Sequence, residues 1–152
     1  MRTQEQWLAA YAESHQNPAN KRIHTIAVPG IYLSIVGLIW SIPSFDLFGI
    51  TLNWVFIALA PVLTFYALLS VITFLMMAAY STVCISIVAV LSNEQAPILD
   101  MSIGLFVVLW AFQFIGHKIE GKKPSFLDDI SFLLIGPVWV FKGHKLSNQD
   151  DD

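Results

Sequence analysis

The sequence predicts an all-α integral membrane protein, a four-helix bundle with an N-terminal interfacial helix and a C-terminal interfacial or re-entrant segment. Three observations lead there. Of the 152 residues, 56% are apolar and 12% charged, against roughly 25% charged in soluble domains. The apolar residues gather into runs long enough to cross a bilayer. All eight Lys and Arg lie at or before Arg22 or at or after Lys118. At this length the chain reads as one domain, residues 1–152.

Residues 3–14, with Trp7, Leu8 and Tyr11 at helical spacing among Gln and Glu, read as an amphipathic helix lying on the membrane surface. No cleavable signal peptide is visible, because these residues are polar rather than an apolar core before a small-residue cleavage site. The first span is expected at about 23–42, followed by a loop over 43–51 that carries Asp46 and Gly49 but no basic residue. From Leu52 to Leu91 the apolar run is about twice one crossing, so it is expected to hold two helices, about 52–69 and 72–91. The bend is placed near Leu69 to Thr73, with Pro61 as a tolerated kink inside the second span. A loop over Ser92–Asp100 leads to a fourth span, about 98–117. Gly121 to Pro124 then breaks the helix. The apolar stretch within 125–141 is shorter than the roughly 20 residues a crossing needs, so it reads as interfacial or re-entrant. Cys84, the single cysteine, excludes an intrachain disulfide and a thiolate cluster and reads as a small buried apolar residue.

An even number of crossings puts both termini on one side. The termini carry all the basic residues, so the positive-inside rule predicts a multi-pass protein with both termini cytoplasmic. In that topology all four histidines, His15, His24, His117 and His144, fall in one cytoplasmic layer.

Two of them lie in the stretch Tyr11–Pro29, YAESHQNPANKRIHTIAVP. Tyr11 and His15 are four apart, as are Asn20 and His24, so each pair would share a helical face. On one unbroken helix His15 and His24, nine apart, would point to opposite sides. However, Asn17-Pro18 falls between them, and proline removes a backbone donor and pushes the preceding residue out of the α region. Helix, turn at Gln16–Ala19 and second helix would let the two imidazoles converge; otherwise they merely hydrogen-bond within an interfacial helix. Toward the other end, Gln113, His117 and Glu120 share one stripe. A His and a carboxylate three apart is a pairing used for iron in helix bundles, and two histidines plus one carboxylate with open positions suit non-haem Fe(II) and O2.

The blocks YxxxHxNPxNxxIHxxxVP at Tyr11–Pro29, WxxQFxGHKxEGKKPSFxxD at Trp110–Asp128 and FLLIGPxW at Phe132–Trp139 resemble the membrane 2-hydroxy fatty acid dioxygenase family. The resemblance implies Fe(2+)-dependent α-oxidation that uses O2 to shorten a 2-hydroxy fatty acid by one carbon, without flavin or haem. It implies His15, His24 and His117 as metal ligands, while His144 lies beyond the matching blocks. Tyr11, Asn20, Gln113 and Glu120 are candidate catalytic residues, Glu120 more as a partner to a histidine or a nearby lysine than as a ligand. Lys21, Arg22, Lys118, Lys122 and Lys123 are candidates for holding the substrate carboxylate, and also fit as topology anchors near anionic lipid. The expected partners are a 2-hydroxy fatty acid, O2 and the lipid bilayer, with no nucleic acid. Two rivals remain at this stage: a zinc-dependent membrane hydrolase, since imidazole discriminates weakly between Zn and Fe, and a non-enzymatic module that binds lipid or a partner helix.

Overall fold

A computed structural model describes residues 1–142. His144, Lys145 and the acidic tail at Asp150–Asp152 lie outside the described residues. The described chain is helical apart from one small hairpin, in the order α1 (Gln4–Ala12), α2 (Pro18–Trp40), β1 (Phe45–Leu47), β2 (Ile50–Leu52), α3 (Trp54–Leu69), α4 (Val71–Asn93), α5 (Ile98–Glu120), a single 3-10 turn (Ser125–Leu127) and α6 (Phe132–Lys142).

Local chemistry explains most boundaries. Thr3 and Gln6 form a reciprocal capping box that starts α1. Asn17 accepts from the Ala19 amide at 2.9 Å, and Pro18 opens α2 at the position where a missing N–H costs nothing. Asn53 caps α3 through the Val55 amide. Ser70 alone separates α3 from α4: its backbone is extended, and its hydroxyl accepts from the Thr73 amide at 3.1 Å. The bend therefore falls where the sequence placed it, and Pro61 sits inside α3. Gly121, with φ +73, ends α5 by donating to His117 O at 3.0 Å.

Two features differ in detail from the sequence reading. The loop over 43–51 contains an antiparallel hairpin, Phe45 opposite Leu52 and Leu47 opposite Ile50, closed by a Phe48-Gly49 turn with both φ positive. The C-terminal apolar segment becomes a helix only from Phe132, and that helix is buried in protein along most of its length. Its 11 residues reach about 16 Å at 1.5 Å per residue, too short to cross.

Among the described residues three helices, α2, α4 and α5, are long and apolar enough to span a membrane. Their 23 residues each reach about 34 Å, enough for a hydrocarbon core of roughly 30 Å. Helix α3, with 16 residues, reaches about 24 Å, short of that core. Leu75, Val90, Val107 and Phe112 are exposed on α4 and α5, as helices facing lipid tails require.

Contacts group the chain into two compact units, Met1–Ile31 with the segment from Val107 onward, and Tyr32–Phe106. In the second, Val36, Val55, Cys84 and Val88 form a buried core flanked by Tyr32, Trp40 and Tyr80, and Tyr32 pairs with Ser81 at 2.6 Å. Cys84 is thus a buried apolar residue, as read. In the first unit α6 packs on α1 through aromatic rings. Phe132 meets Trp7 edge-on at 5.1 Å, and Trp139 lies 5.3 Å from Tyr11. That packing leaves Trp7, Leu8 and Tyr11, the apolar side of α1, buried.

Candidate metal centre

Helix α1 ends at Ala12, and His15 follows on a turn closed by its own amide donating to Ala12 O at 3.0 Å. Its ring lies flat on Tyr11, with centroids 4.1 Å apart and planes within 7°. The break at Asn17-Pro18 starts α2 in a new direction, and His24 on its second turn comes back to meet His15. The ring centroids are 4.3 Å apart. His117, from the last turn of α5, closes the group at 4.9 Å from His15 and 4.8 Å from His24. All three are buried, 1%, 0% and 5% exposed, and their ligand atoms lie within 4.8 Å of one another. Of the two arrangements open for the N-terminal stretch, the structure has the one in which the imidazoles converge.

The ring nitrogens are not equivalent. Nδ1 of His15 lies 2.7 Å from Tyr11 O, and Nδ1 of His24 lies 3.0 Å from Asn20 O. A carbonyl only accepts, so both Nδ1 atoms carry the proton, and both Nε2 atoms present a lone pair inward. His24 Nε2 faces His117 Nε2 at 3.1 Å, while His15 Nε2 is buried without a hydrogen-bond partner. Burial, reinforced by His24, pushes His15 down to about 3, against the opposing pull of the Tyr11 carbonyl. It is therefore neutral at neutral pH, the state a metal ligand needs. A buried lone pair with nothing to accept is costly, and a divalent cation among three neutral imidazoles would satisfy it. The donor set suits Zn or Fe.

Glu120 does not point at the rings as a ligand. Its Oε1 accepts from the Gln16 amide at 2.9 Å, and its Oε2 accepts from the Asn17 amide at 2.8 Å and from Asn20 Nδ2 at 3.1 Å. The carboxylate caps the start of α2, where an anion is favoured by exposed N–H groups and the helix dipole. It thereby holds the turn between His15 and His24 against the end of α5. Its partners are this turn, rather than a histidine or lysine side chain.

Asn20, fully buried, donates to Ser14 O and Glu120 and leaves Oδ1 unpaired. It presses against Gly116, where an added Cβ would fall 2.3 Å from that oxygen, so glycine one residue before His117 permits the close approach. Gln113 is buried one turn before His117, with Oε1 lacking a partner. Tyr11 acts through its ring against His15 and Trp139.

Of the five candidate cations, Lys122 is tied to Glu13 O at 2.9 Å. Lys122 and Lys123, with Arg2, rim a cavity of about 360 Å³ that Ser14 and Ser125 line from within. Sequence reasoning assigned no role to Arg2, Ser14, Ser125 or Trp139, although the last three sit beside or within the quoted blocks. Trp139 lies 5.2 Å from the His15 ring, and Ser14 lies 3.1 Å from its Nδ1. His144 lies outside the described residues.

Comparison with known proteins now decides the family. The model of the family "2-hydroxy-palmitic acid dioxygenase Mpo1-like" matches residues 1–146. The chain belongs to this Mpo1-like family. A curated relative, the 2-hydroxy-palmitic acid dioxygenase MPO1 of Saccharomyces cerevisiae, is 29% identical over 135 residues, covering 88% of this chain and 74% of its own. No solved structure matches. The family membership agrees with the resemblance carried by the three motif blocks, and those blocks hold all three converging histidines.

Proposed function

We propose that this Mpo1-like protein is an Fe(II)-dependent dioxygenase that shortens 2-hydroxy fatty acids by one carbon at the cytoplasmic face of a membrane. The observation that carries the reading is the buried group of three imidazoles whose ligand atoms lie within 4.8 Å of one another, with inward lone pairs on His15 and His24 and an unsatisfied His15 Nε2. The relative's name supports a 2-hydroxy fatty acid as the substrate class.

His15, His24 and His117 would hold the iron. Bound there, Fe(II) would supply the activation of O2 that the spin-paired substrate alone lacks. The rest is work for the chain. The Tyr11 and Asn20 carbonyls keep the Nδ1 protons in place, and Glu120 keeps the turn carrying His15 in register with α2. Trp139 and Tyr11 pack around the His15 ring and exclude water from that side. Arg2, Lys122 and Lys123, set against Glu13 and Asp128 in the same lining, leave a net positive approach for an anionic head group.

The stoichiometry closes without a further reductant. A 2-hydroxy acid and one O2 give the acid one carbon shorter, CO2 and water, with C2 oxidised to the new carboxyl and O2 fully reduced. Purified protein supplied with Fe(II) and 2-hydroxypalmitate is expected to consume O2 and yield a product one carbon shorter by mass. Substrate recovered intact, with no oxygen uptake, would overturn the reading. Metal analysis of protein purified without added metal separates iron from the zinc-hydrolase alternative.

Topology is tested separately. With both termini cytoplasmic and α3 crossing, Asp46→Cys and Asn93→Cys, each in a Cys84→Ser background, should both react with an impermeant thiol reagent from outside. If only Asp46→Cys reacts, α5 would deliver His117 to the face opposite His24, against their 3.1 Å contact, and both the topology and the centre would fall.

A further inference from the structure

Ser14 Oγ has three neighbours: Ser125 Oγ at 2.5 Å, His15 Nδ1 at 3.1 Å and Tyr11 O at 3.3 Å. Both serines are nearly buried, 7% and 8% exposed, and they join the end of α1 to the 3-10 turn far along the chain. A hydroxyl carries one proton and can donate it once. Given to Ser125, the shortest contact, that proton leaves Ser14 with lone pairs toward His15 Nδ1. Nδ1–H then donates to Tyr11 O and Ser14 Oγ together, and Nε2 keeps its lone pair. Both serines line the adjoining open cavity, so the Ser125 hydroxyl is free to turn toward solvent.

We propose that Ser14 and Ser125 are positioning residues that back the Tyr11 carbonyl in holding the Nδ1–H tautomer of His15, Ser125 acting by drawing the Ser14 proton away from the ring. The inference rests on the reading of His15 as a metal ligand. Without Ser125 the Ser14 hydroxyl is free to turn, either onto Tyr11 O at 3.3 Å, where it competes with Nδ1–H, or onto Nδ1 itself; both loosen the hold on the Nδ1 proton and favour the tautomer protonated on Nε2. That tautomer presents N–H where the metal needs a lone pair.

The order of severity among variants is distinctive. Ser125→Ala converts Ser14 into a competing donor. Ser14→Ala removes that donor and leaves the 2.7 Å bond from Nδ1–H to Tyr11 O, so it should be milder, and the double variant Ser14→Ala/Ser125→Ala should recover what Ser125→Ala loses. A purely structural role would make the double variant the worst of the three. Ser125→Thr keeps the hydroxyl, and its methyl group has the cavity to occupy.

The test uses the full chain in detergent, stripped of metal by chelation, with 15N-labelled histidine and His15→Ala to assign the His15 signals. Wild type and Ser125→Thr should show His15 protonated on Nδ1. Ser125→Ala should show a raised Nε2–H fraction and Fe(II) and Zn(II) affinity weaker by about 10-fold, the lower end for loss of a group supporting a ligand. Ser125→Ala with unchanged tautomer and affinity overturns the proposal, as does a double variant worse than Ser125→Ala. If wild type bound neither ion, the dioxygenase reading would fall, while the tautomer spectra of the metal-free proteins would still decide this inference. Should Ser125→Ala not fold, Ser125→Cys, which weakens the acceptor while keeping the volume, takes its place in the same comparison.

Discussion

His15→Ala, His24→Ala and His117→Ala should each abolish turnover and strip the protein of bound iron. Each supplies one of three buried imidazoles whose ligand atoms lie within 4.8 Å, and two remaining ligands no longer close a site. The loss should be total rather than graded, because among the described residues no carboxylate stands in reserve: Glu120 has both oxygens committed to the turn before α2. His144→Ala is expected to keep substantial activity, since that residue lies beyond the motif blocks. Iron per protein and oxygen uptake, measured on variants that retain the wild-type helical content, check this. Full iron and full activity in His15→Ala would remove the proposed centre altogether.

Glu120→Gln should produce a different kind of loss. One carboxylate oxygen becomes an NH2 group facing a backbone N–H, and donor against donor cannot bond. The hydrogen bonds lost are charge-assisted, worth about 1.5–3 kcal/mol each, and what they hold is the geometry of His15 relative to His24. The expected outcome is turnover lower by about 10–100-fold, the range for groups that orient ligands, with most of the iron retained. His117→Ala measured beside it should lose both. Equal loss of iron in the two variants would make Glu120 a ligand after all, and would require its carboxylate to leave the Gln16 and Asn17 amides on metal binding.

Several parts of this picture were legible in the linear chain because their causes are local. Apolar length and charge placement are properties of consecutive residues, so the helices that became α2, α4 and α5 were visible before any packing was known. The same holds for the break at Ser70, where a hydroxyl next to Thr73 caps one helix as another ends. Asn17-Pro18 made convergence of His15 and His24 possible by interrupting the helix between them. The hairpin at Phe45–Leu52 was missed, since its Phe48-Gly49 turn is a weaker signal than Asn-Gly or Asp-Gly. Helix α6 read as a segment for the membrane interface because a short apolar run looks the same whether lipid or protein covers it.

By itself, then, the sequence determined the helical class, the membrane-length segments, the family motifs and the three histidines, all written in residue type and short spacing. Only the tertiary structure decided which nitrogen of each imidazole faces inward and that Glu120 caps α2 instead of binding a neighbouring lysine. It alone paired Ser14 with Ser125, and laid Trp139 beside His15. The Nδ1 partners of His15 and His24 are carbonyls only four residues back, yet the spacing alone left open whether the rings turn toward them. The other three share one physical reason: each depends on a hydrogen bond or ring contact between residues from different segments, and no local pattern of residues specifies which distant donor will reach a given acceptor.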